Sequence, residues 1–522
     1  MPMLDERVLA GARIAPRATA LVDGDRTLSW RELESLTASR AEELTRSGVA
    51  RGDRVAVAGA NSLETTVALL AVLRAGAVLV PIPAEIRAPR LAAILGDARP
   101  SAMIAPPPIL EMAADLRVHS ESRDPHAIAL GAGFAEPPRG APRATDAPAA
   151  RCARDHGAID ADLAAILYTS GSTGEPKGVM LTHANLENTT GAIANYLALG
   201  ADDRVAIPVP IVFSYGLAQL LSALRVGATV ILERSFVYPF ELLRRVERHA
   251  ASVLVSVPTL AARLVDLLPR LAATHPIELG ALRAVTNAAA ALPPAHARRL
   301  AELLPRTDLH LMYGQTECTR AASLDPALVA THPSSVGRAI PNCDAYLVDA
   351  AGRRLPFGSE GELVVRGANV ALGYWNRPEE TARRFVAGEL PGSRVLRTGD
   401  RFRTDADGLL HFVAREDDLF KCRGEKVAPA AIEAALCAID GVVEALVAGV
   451  AHEEDGTAIR AAVVVRSDAV IDETRLRAQL RARLEPALIP RFLEIREELP
   501  RGDSGKASRR ALAALAPSSS LA

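Results

Sequence analysis

Tyr168-Thr-Ser-Gly-Ser-Thr-Gly-Glu-Pro-Lys177-Gly178 follows directly on the apolar run Ala164 to Leu167. Its eleven positions include three glycines, four Ser or Thr hydroxyls and one lysine. A loop of this make-up presents many N–H and O–H donors beside one ammonium, which is what phosphate oxygens require. A plain flexible connection is the competing reading, and the donor density just after an apolar strand favours phosphate contact over it. The spacing is not that of a P-loop, G-x-x-x-x-G-K-[ST]: Pro176 stands five residues after Gly171, and Gly178 follows Lys177. The later Gly502 to Ser508 run fails too, with Pro500 where the first glycine belongs and Ala507 after Lys506.

Outward from this loop the chain alternates apolar strands with helices. Residues 19–60 read as hairpin, helix and strand, with a turn at Asp23-Gly24-Asp25 and Gly48 placed to end the helix. Leu63 to Arg74 reads as a helix and Ala77 to Pro81 as a strand. Residues 105–160 are rich in Pro, Ala and Arg without period and read as a long surface connection. The rhythm returns at 161 and runs to about 330. Short strands and turns dominate from about 335 to 415, and a new α+β pattern starts after Arg415. The expected architecture is α/β: a large N-terminal domain, 1–415, of two α/β subdomains plus a small β-rich subdomain at about 335–415. A small mobile α+β C-terminal domain, 416–522, follows.

Composition removes several classes. The 522 residues are 49% hydrophobic and 23% charged, ordinary globular values. A net charge of −2 leaves no basic excess for nucleic acid or anionic lipid, so no nucleic-acid partner is expected. No membrane span is expected, since the longest apolar run, Val67 to Val80, is broken by Arg74. Five dispersed cysteines without a C-x-x-C pair argue against disulfides and zinc and predict a cytoplasmic location. Of 60 basic residues only Lys177, Lys421, Lys426 and Lys506 are lysine, and all four lie in Gly-bearing segments. Where arginine serves on the surface, a retained lysine marks a place that needs a compact ammonium.

The run Tyr168 to Leu186 resembles the signature of the adenylate-forming superfamily: acyl-CoA synthetases, peptide-synthetase adenylation domains and firefly-type luciferases. Further blocks follow in the family's order: Tyr313-Gly-Gln-Thr-Glu317, Gly361-Glu-Leu-Val-Val-Arg-Gly367, Gly373-Tyr-Trp375, Arg397-Thr-Gly-Asp400, Arg415 to Gly424 and Pro500 to Lys506. The resemblance covers nearly the whole chain. It implies an enzyme that joins a carboxylic acid to ATP, giving an acyl adenylate and pyrophosphate, and then passes the acyl group to a thiol. The implied cofactors are ATP, Mg²⁺ and coenzyme A, or a carrier-protein phosphopantetheine in place of the last. The partners are a small-molecule carboxylic acid and, in the alternative reading, an acyl carrier protein.

The same resemblance implies roles. Thr169, Ser170, Gly171, Ser172, Thr173, Gly174 and Lys177 hold the β- and γ-phosphates. Asn287, Ala288, Ala289, Met312, Tyr313, Gly314, Gln315 and Phe412 border the nucleotide, with the Tyr313 ring on adenine. Thr316 meets the α-phosphate and Glu317 the Mg²⁺, a hard cation suited to carboxylate oxygen. Asp400 accepts from the ribose hydroxyls and Arg415 supports ribose and phosphate. Lys506 is the catalytic ammonium, delivered by closure of the C-terminal domain about a hinge at Asp417. Arg423, Gly424 and Glu425 then line the pantetheine tunnel. Ala414 departs from the family's glycine before the hinge arginine.

The acyl pocket is expected from Phe213, Ser214, Tyr215, Gly216, Ser256 and Ala290. Amino-acid-activating members place an Asp where Ser214 stands. A buried ammonium without a carboxylate costs several kcal/mol, so a free amino acid is disfavoured. Phe213-Ser-Tyr-Gly216 resembles the arrangement of aryl- and medium-chain acyl-CoA ligases. Ala288 to Ala290 stand where the family has glycines, narrowing the pocket mouth. His183 is read as structural and Cys318 as an inert small filler.

Overall fold

A computed structural model describes residues 4–117, 126–130, 157–170, 175–388, 393–422, 425–452, 456–466, 468–502 and 507–515. Two sheets organise the first four hundred residues. In the smaller, seven strands run in the order Gly373–Tyr374, Pro176–Thr182, Leu163–Ser170, Val78–Pro83, Arg54–Gly59, Ala102–Ala105 and His126–Ala129. All neighbours are parallel except at the Leu163 end, where the first two strands add antiparallel. The central strands are apolar throughout because helices cover both faces. The helix Leu63–Arg74 starts with the Ser62 hydroxyl accepting from Thr65 N, and ten of its twelve residues are buried.

The larger sheet carries fourteen strands among the described residues. Its parallel half contains Asp308–Tyr313, Ala284–Asn287, Val253–Ser256, Arg204–Ile207, Thr229–Leu232 and Thr19–Asp23, in that order. The fold is therefore α/β, as the strand–helix rhythm predicts. The β-rich stretch does not stand apart, however. Ala322–Ser323 pairs antiparallel with Tyr313 and then with Ser335–Ala339, so the strands up to Leu410–Arg415 extend the same sheet. Sequence cannot show this, because the joining strand is only two residues long.

Residues 105–160 also depart from expectation. Pro107–Arg117 is a helix and His126–Ala129 a strand parallel to Ala102–Ala105. Two prolines at its N-terminus are compatible with helix, since the first-turn N–H groups are unpaired anyway. The rest of the stretch up to residue 156 lies outside the described residues.

From Phe420 onward the chain builds its own core. Val427, Ile432, Leu436, Val447, Ile459, Val463, Leu476, Leu480 and Leu493 are buried together, with no member from the preceding sheets. The hairpin Val442–His452 with Gly456–Val465 is joined by Phe492–Ile495 in parallel. Between the two bodies Glu416–Asp418 forms one exposed 3₁₀ turn. No helix among the described residues is long and apolar enough to cross a membrane.

Candidate active site

The Gly-rich segment joins two antiparallel strands: Thr169 faces Lys177 and Ser170 faces Pro176. A P-loop leads from strand to helix, so this topology agrees with the exclusion by spacing. Lys177 pairs with Glu380 and lies 5.9 Å from the centre of the Tyr374 ring. Tyr374 belongs to the strand that pairs with Val179 and Met180. Its hydroxyl donates to Glu317 Oε1 at 2.7 Å. Tyr374 thus couples the lysine hairpin to the Tyr313–Glu317 segment.

That segment leaves the end of the strand Asp308–Tyr313. The chain folds back sharply here, because a Cβ on Gly314 would sit 2.5 Å from Thr319 O. Residues 313–317 are half-buried. Tyr313 packs edge-on against Phe402 with centroids 4.8 Å apart, and Phe402 packs against Phe412 at 5.5 Å. Phe412 is connected to Tyr313 through Phe402 and supports it from behind.

Asp400 gathers this side of the site. Its Oδ2 accepts from the Tyr313 hydroxyl at 2.7 Å and from Gln315 Nε2 at 2.7 Å. Gln315 Nε2 also donates to Thr398 O at 2.9 Å. Arg415 Nε stands 3.4 Å from Oδ1. Burial pushes the Asp400 carboxyl above the usual carboxylate range, while Arg415, Tyr313 and Gln315 pull against it. The turn that presents Asp400 is pinned by Glu362, which accepts from Gly399 N at 3.0 Å and from the Arg397 guanidinium. The glutamate of the Gly361–Gly367 block is therefore a positioning residue.

The Ser214–Arg225 helix approaches from the other side. Gly216 is required at its start, since a Cβ there would lie 2.2 Å from Pro210 O. Ser214 Oγ accepts from Thr316 Oγ1 at 3.3 Å. The Tyr215 hydroxyl reaches Ser256 O at 3.1 Å and Thr286 Oγ1 at 2.8 Å. Met312 Sδ accepts from the Tyr196 hydroxyl at 3.0 Å. Ser214, Tyr215, Ser256, Met312 and Thr316 are thereby drawn to one end of the parallel strands, with Phe213 just before the helix. Asn287 and Ala288 are buried beside them, Ala289 takes φ +78° and Ala290 is exposed. Cys318 is wholly buried and its thiol is pushed well up by desolvation, which leaves it protonated and inert at neutral pH.

Gly171, Ser172, Thr173, Gly174, Arg423, Gly424 and Lys506 lie outside the described residues, as do the side chains of Ser170 and Glu425. Three contributors have no signal in the sequence. Tyr374 stands inside the Gly373–Trp375 block, but its hydroxyl contact leaves no local mark. Thr398 contributes a backbone oxygen, which has no residue signature. Arg384, at the end of the helix Pro378–Arg384, faces Tyr374, Glu317 and Asp400, and nothing in its sequence neighbourhood marks it.

A two-sheet α/β body with these blocks along one edge, followed by a small α+β unit, defines the class of adenylate-forming proteins. The chain belongs to the AMP-binding enzyme family: residues 10–375 match the AMP-binding enzyme and residues 431–506 its C-terminal domain. It is 34% identical over 502 residues to a feruloyl-CoA synthase of Amycolatopsis sp, covering 95% of each chain. It is 30% identical to tyrocidine synthase 2 of Brevibacillus parabrevis over 96% of its own length but only 13% of that protein's. The amide bond synthetase McbA of Marinactinospora thermotolerans superposes with a TM-score of 0.82 at 26% identity, covering 98% of each.

Proposed function

We propose that this protein activates a carboxylic acid with ATP and transfers the acyl group to coenzyme A. In the first half, a carboxylate oxygen of the acid attacks the α-phosphorus, the α–β phosphoanhydride bond breaks, and pyrophosphate leaves. In the second, the thiol sulfur attacks the acyl carbon, AMP departs and the thiol proton goes to solvent. The acid itself is the nucleophile, so the protein's contribution is positioning and charge stabilisation.

The observation that carries this reading is the convergence on residues 313–317. Asp400, with Oδ2 engaged by Tyr313 and Gln315, keeps Oδ1 toward Arg415 and is suited to ribose hydroxyls. Thr316 lies against Ser214 and suits the α-phosphate next to the acid. Glu317 has one oxygen committed to Tyr374, and its other oxygen has no hydrogen bond among the described residues. That single carboxylate fits a Mg²⁺ whose remaining ligands are phosphate oxygens and water. Bound there, Mg²⁺ would offset phosphate charge. Groups of three or more metal-ligating side chains are absent among the described residues, which accords with a nucleotide-borne cation rather than a protein cage.

In this reading residues 1–415 bind ATP and acid, and 416–522 form the moving domain. Asp417 sits on the exposed turn between them. Lys506 supplies the ammonium at the reacting carboxylate, and Arg423, Gly424 and Glu425 border the thiol's path. The similarity to a feruloyl-CoA synthase along the full length supports coenzyme A and an aryl acid. The match to tyrocidine synthase 2 favours a second reading, transfer to a carrier-protein phosphopantetheine.

ATP–pyrophosphate exchange over a panel of aryl, aliphatic and amino acids tests the first half. Exchange is expected with non-amino acids, with a loss of about 100-fold or more in Lys506→Ala and ATP binding kept. Undiminished exchange in that variant removes Lys506 from its role. Product analysis with coenzyme A against a phosphopantetheinylated carrier decides the acceptor.

A further inference from the structure

Three arginines of the described chain are buried: Arg40, Arg320 and Arg460, the second only 1% exposed. Arg40 pairs with Glu43 and Arg460 with Glu494. Arg320 has no carboxylate partner among the described residues. Its guanidinium lies 5.0 Å over the Tyr215 ring. Its Nε and Nη2 are buried without any partner. These two atoms form one edge of the guanidinium fork. Elsewhere in this protein the same edge holds a carboxylate: Arg51 on Asp162, Arg283 on Asp203 and Arg397 on Glu362. A buried, unpaired guanidinium is costly, and bidentate carboxylate binding is the contact that this edge matches.

Its place in the site is given by two neighbouring contacts. Ser214 meets Thr316, where the reacting carboxylate is proposed, and the next residue, Tyr215, meets Arg320. Arg320 and Thr316 thus both meet the start of one helix, Arg320 at the Tyr215 ring and Thr316 at Ser214. One helical turn beyond Tyr215 on the same helix face is Gln219, fully buried with both amide atoms unpartnered. Gln219 thus adds one unmet donor and one unmet acceptor on the helix face that carries Tyr215.

We propose that Arg320 is a specificity-determining residue that receives a second carboxylate at the far end of the substrate, so that the acid activated is a dicarboxylic acid. The proposal rests on the acid-activation reading above and narrows its substrate class. An acid entering this pocket meets Arg320 by displacing its guanidinium from the Tyr215 ring face. The distal carboxylate then supplies the charge partner that the chain omits. The absence of an acidic residue at Ser214 disfavours amino acids, while the Arg320 edge selects for a second acid group.

The test uses the full chain with succinate, adipate and 1,4-benzenedicarboxylate, each against its monoamide, in ATP–pyrophosphate exchange and in thermal shift. The wild type is expected to favour at least one diacid over its monoamide by about 100-fold in kcat/KM. Arg320→Met should remove that margin mainly through KM, and Arg320→Lys should restore part of it. Binding of AMP and the melting transition report whether either variant is folded. A wild type that prefers the monoamides overturns the proposal without any variant. So does an unchanged diacid margin in folded Arg320→Met. If no acid supports exchange, the acid-activation reading fails. The thermal arm then still decides on Arg320: a diacid-specific shift lost in Arg320→Met upholds the site, and no shift with any diacid ends it.

Discussion

The Tyr374 hydroxyl donates to Glu317 Oε1 across 2.7 Å, although 56 residues separate the two in the chain. The contact sets which oxygen of Glu317 is committed and, in the proposed function, which is left for Mg²⁺. Tyr374 is 5% exposed and backed edge-on by Phe385 at 5.5 Å, so its position is fixed by packing. Tyr374→Phe keeps that packing and removes only the hydrogen bond. A hydrogen bond to a charged group contributes about 1.5–3 kcal/mol. Exchange activity in Tyr374→Phe should fall by about tenfold to a hundredfold, with the Mg²⁺ concentration for half activity raised. An unaltered Mg²⁺ titration would detach Tyr374 from the cation.

Asp400 gives a pH dependence with a definite sign. Burial raises its carboxyl above the ordinary value, so the folded protein holds this proton more tightly than the unfolded chain does. Between those two values, lowering the pH favours the fold at this residue. If Asp400 accepts from the ribose as proposed, nucleotide binding goes the other way, because protonation costs the ribose an acceptor. AMP affinity should weaken as pH falls, beginning above the usual carboxylate range. Calorimetric AMP binding against pH checks this, and Asp400→Asn should bind weakly with a flat profile. A wild-type profile equally flat would refute the assignment.

The exposed turn at Glu416–Asp418 leads from one core to the other. If this turn is the hinge, a protease should cut near Asp417 in free protein and more slowly when a non-hydrolysable acyl-adenylate analogue is bound. Cleavage rates that ignore the analogue would speak against a moving C-terminal domain. Asp417→Pro should leave pyrophosphate exchange and thioester formation unequally affected, since a fixed hinge serves one orientation better than the other.

Ala289 occupies φ +78°, where a Cβ is disfavoured by about 1–2 kcal/mol. Glycine there costs unfolded-state entropy of about 0.4–1 kcal/mol. Ala289→Gly should therefore stabilise the protein by about 0.5–1 kcal/mol, read as a small rise in the denaturant midpoint. A fall in the midpoint would show that the methyl contributes packing that outweighs its backbone strain.

The parts legible in sequence were those with local causes. Leu63–Arg74 is legible because a Ser62 cap and a largely apolar run are both features of contiguous sequence. The hairpin Thr19 to Ser29 followed from Asp23-Gly24-Asp25, with Gly24 at φ +62°. The strand His126–Ala129 is not legible because it has only four residues, two of them exposed, and exists by pairing with Ala102–Ala105. The continuity of the larger sheet is not legible because a two-residue strand makes the join.

For the site, the sequence alone determined the family and the order of its blocks, since each block is a contiguous run whose glycines, hydroxyls and charges act over a few residues. What only the tertiary structure decided is which runs meet: Asp400 with Tyr313, Tyr374 with Glu317, and Arg320 with Tyr215. Those pairings depend on sheet order and on the angle at which helices approach strand ends. An unpaired guanidinium becomes recognisable only when burial shows that water cannot serve it and that no carboxylate among the described residues does.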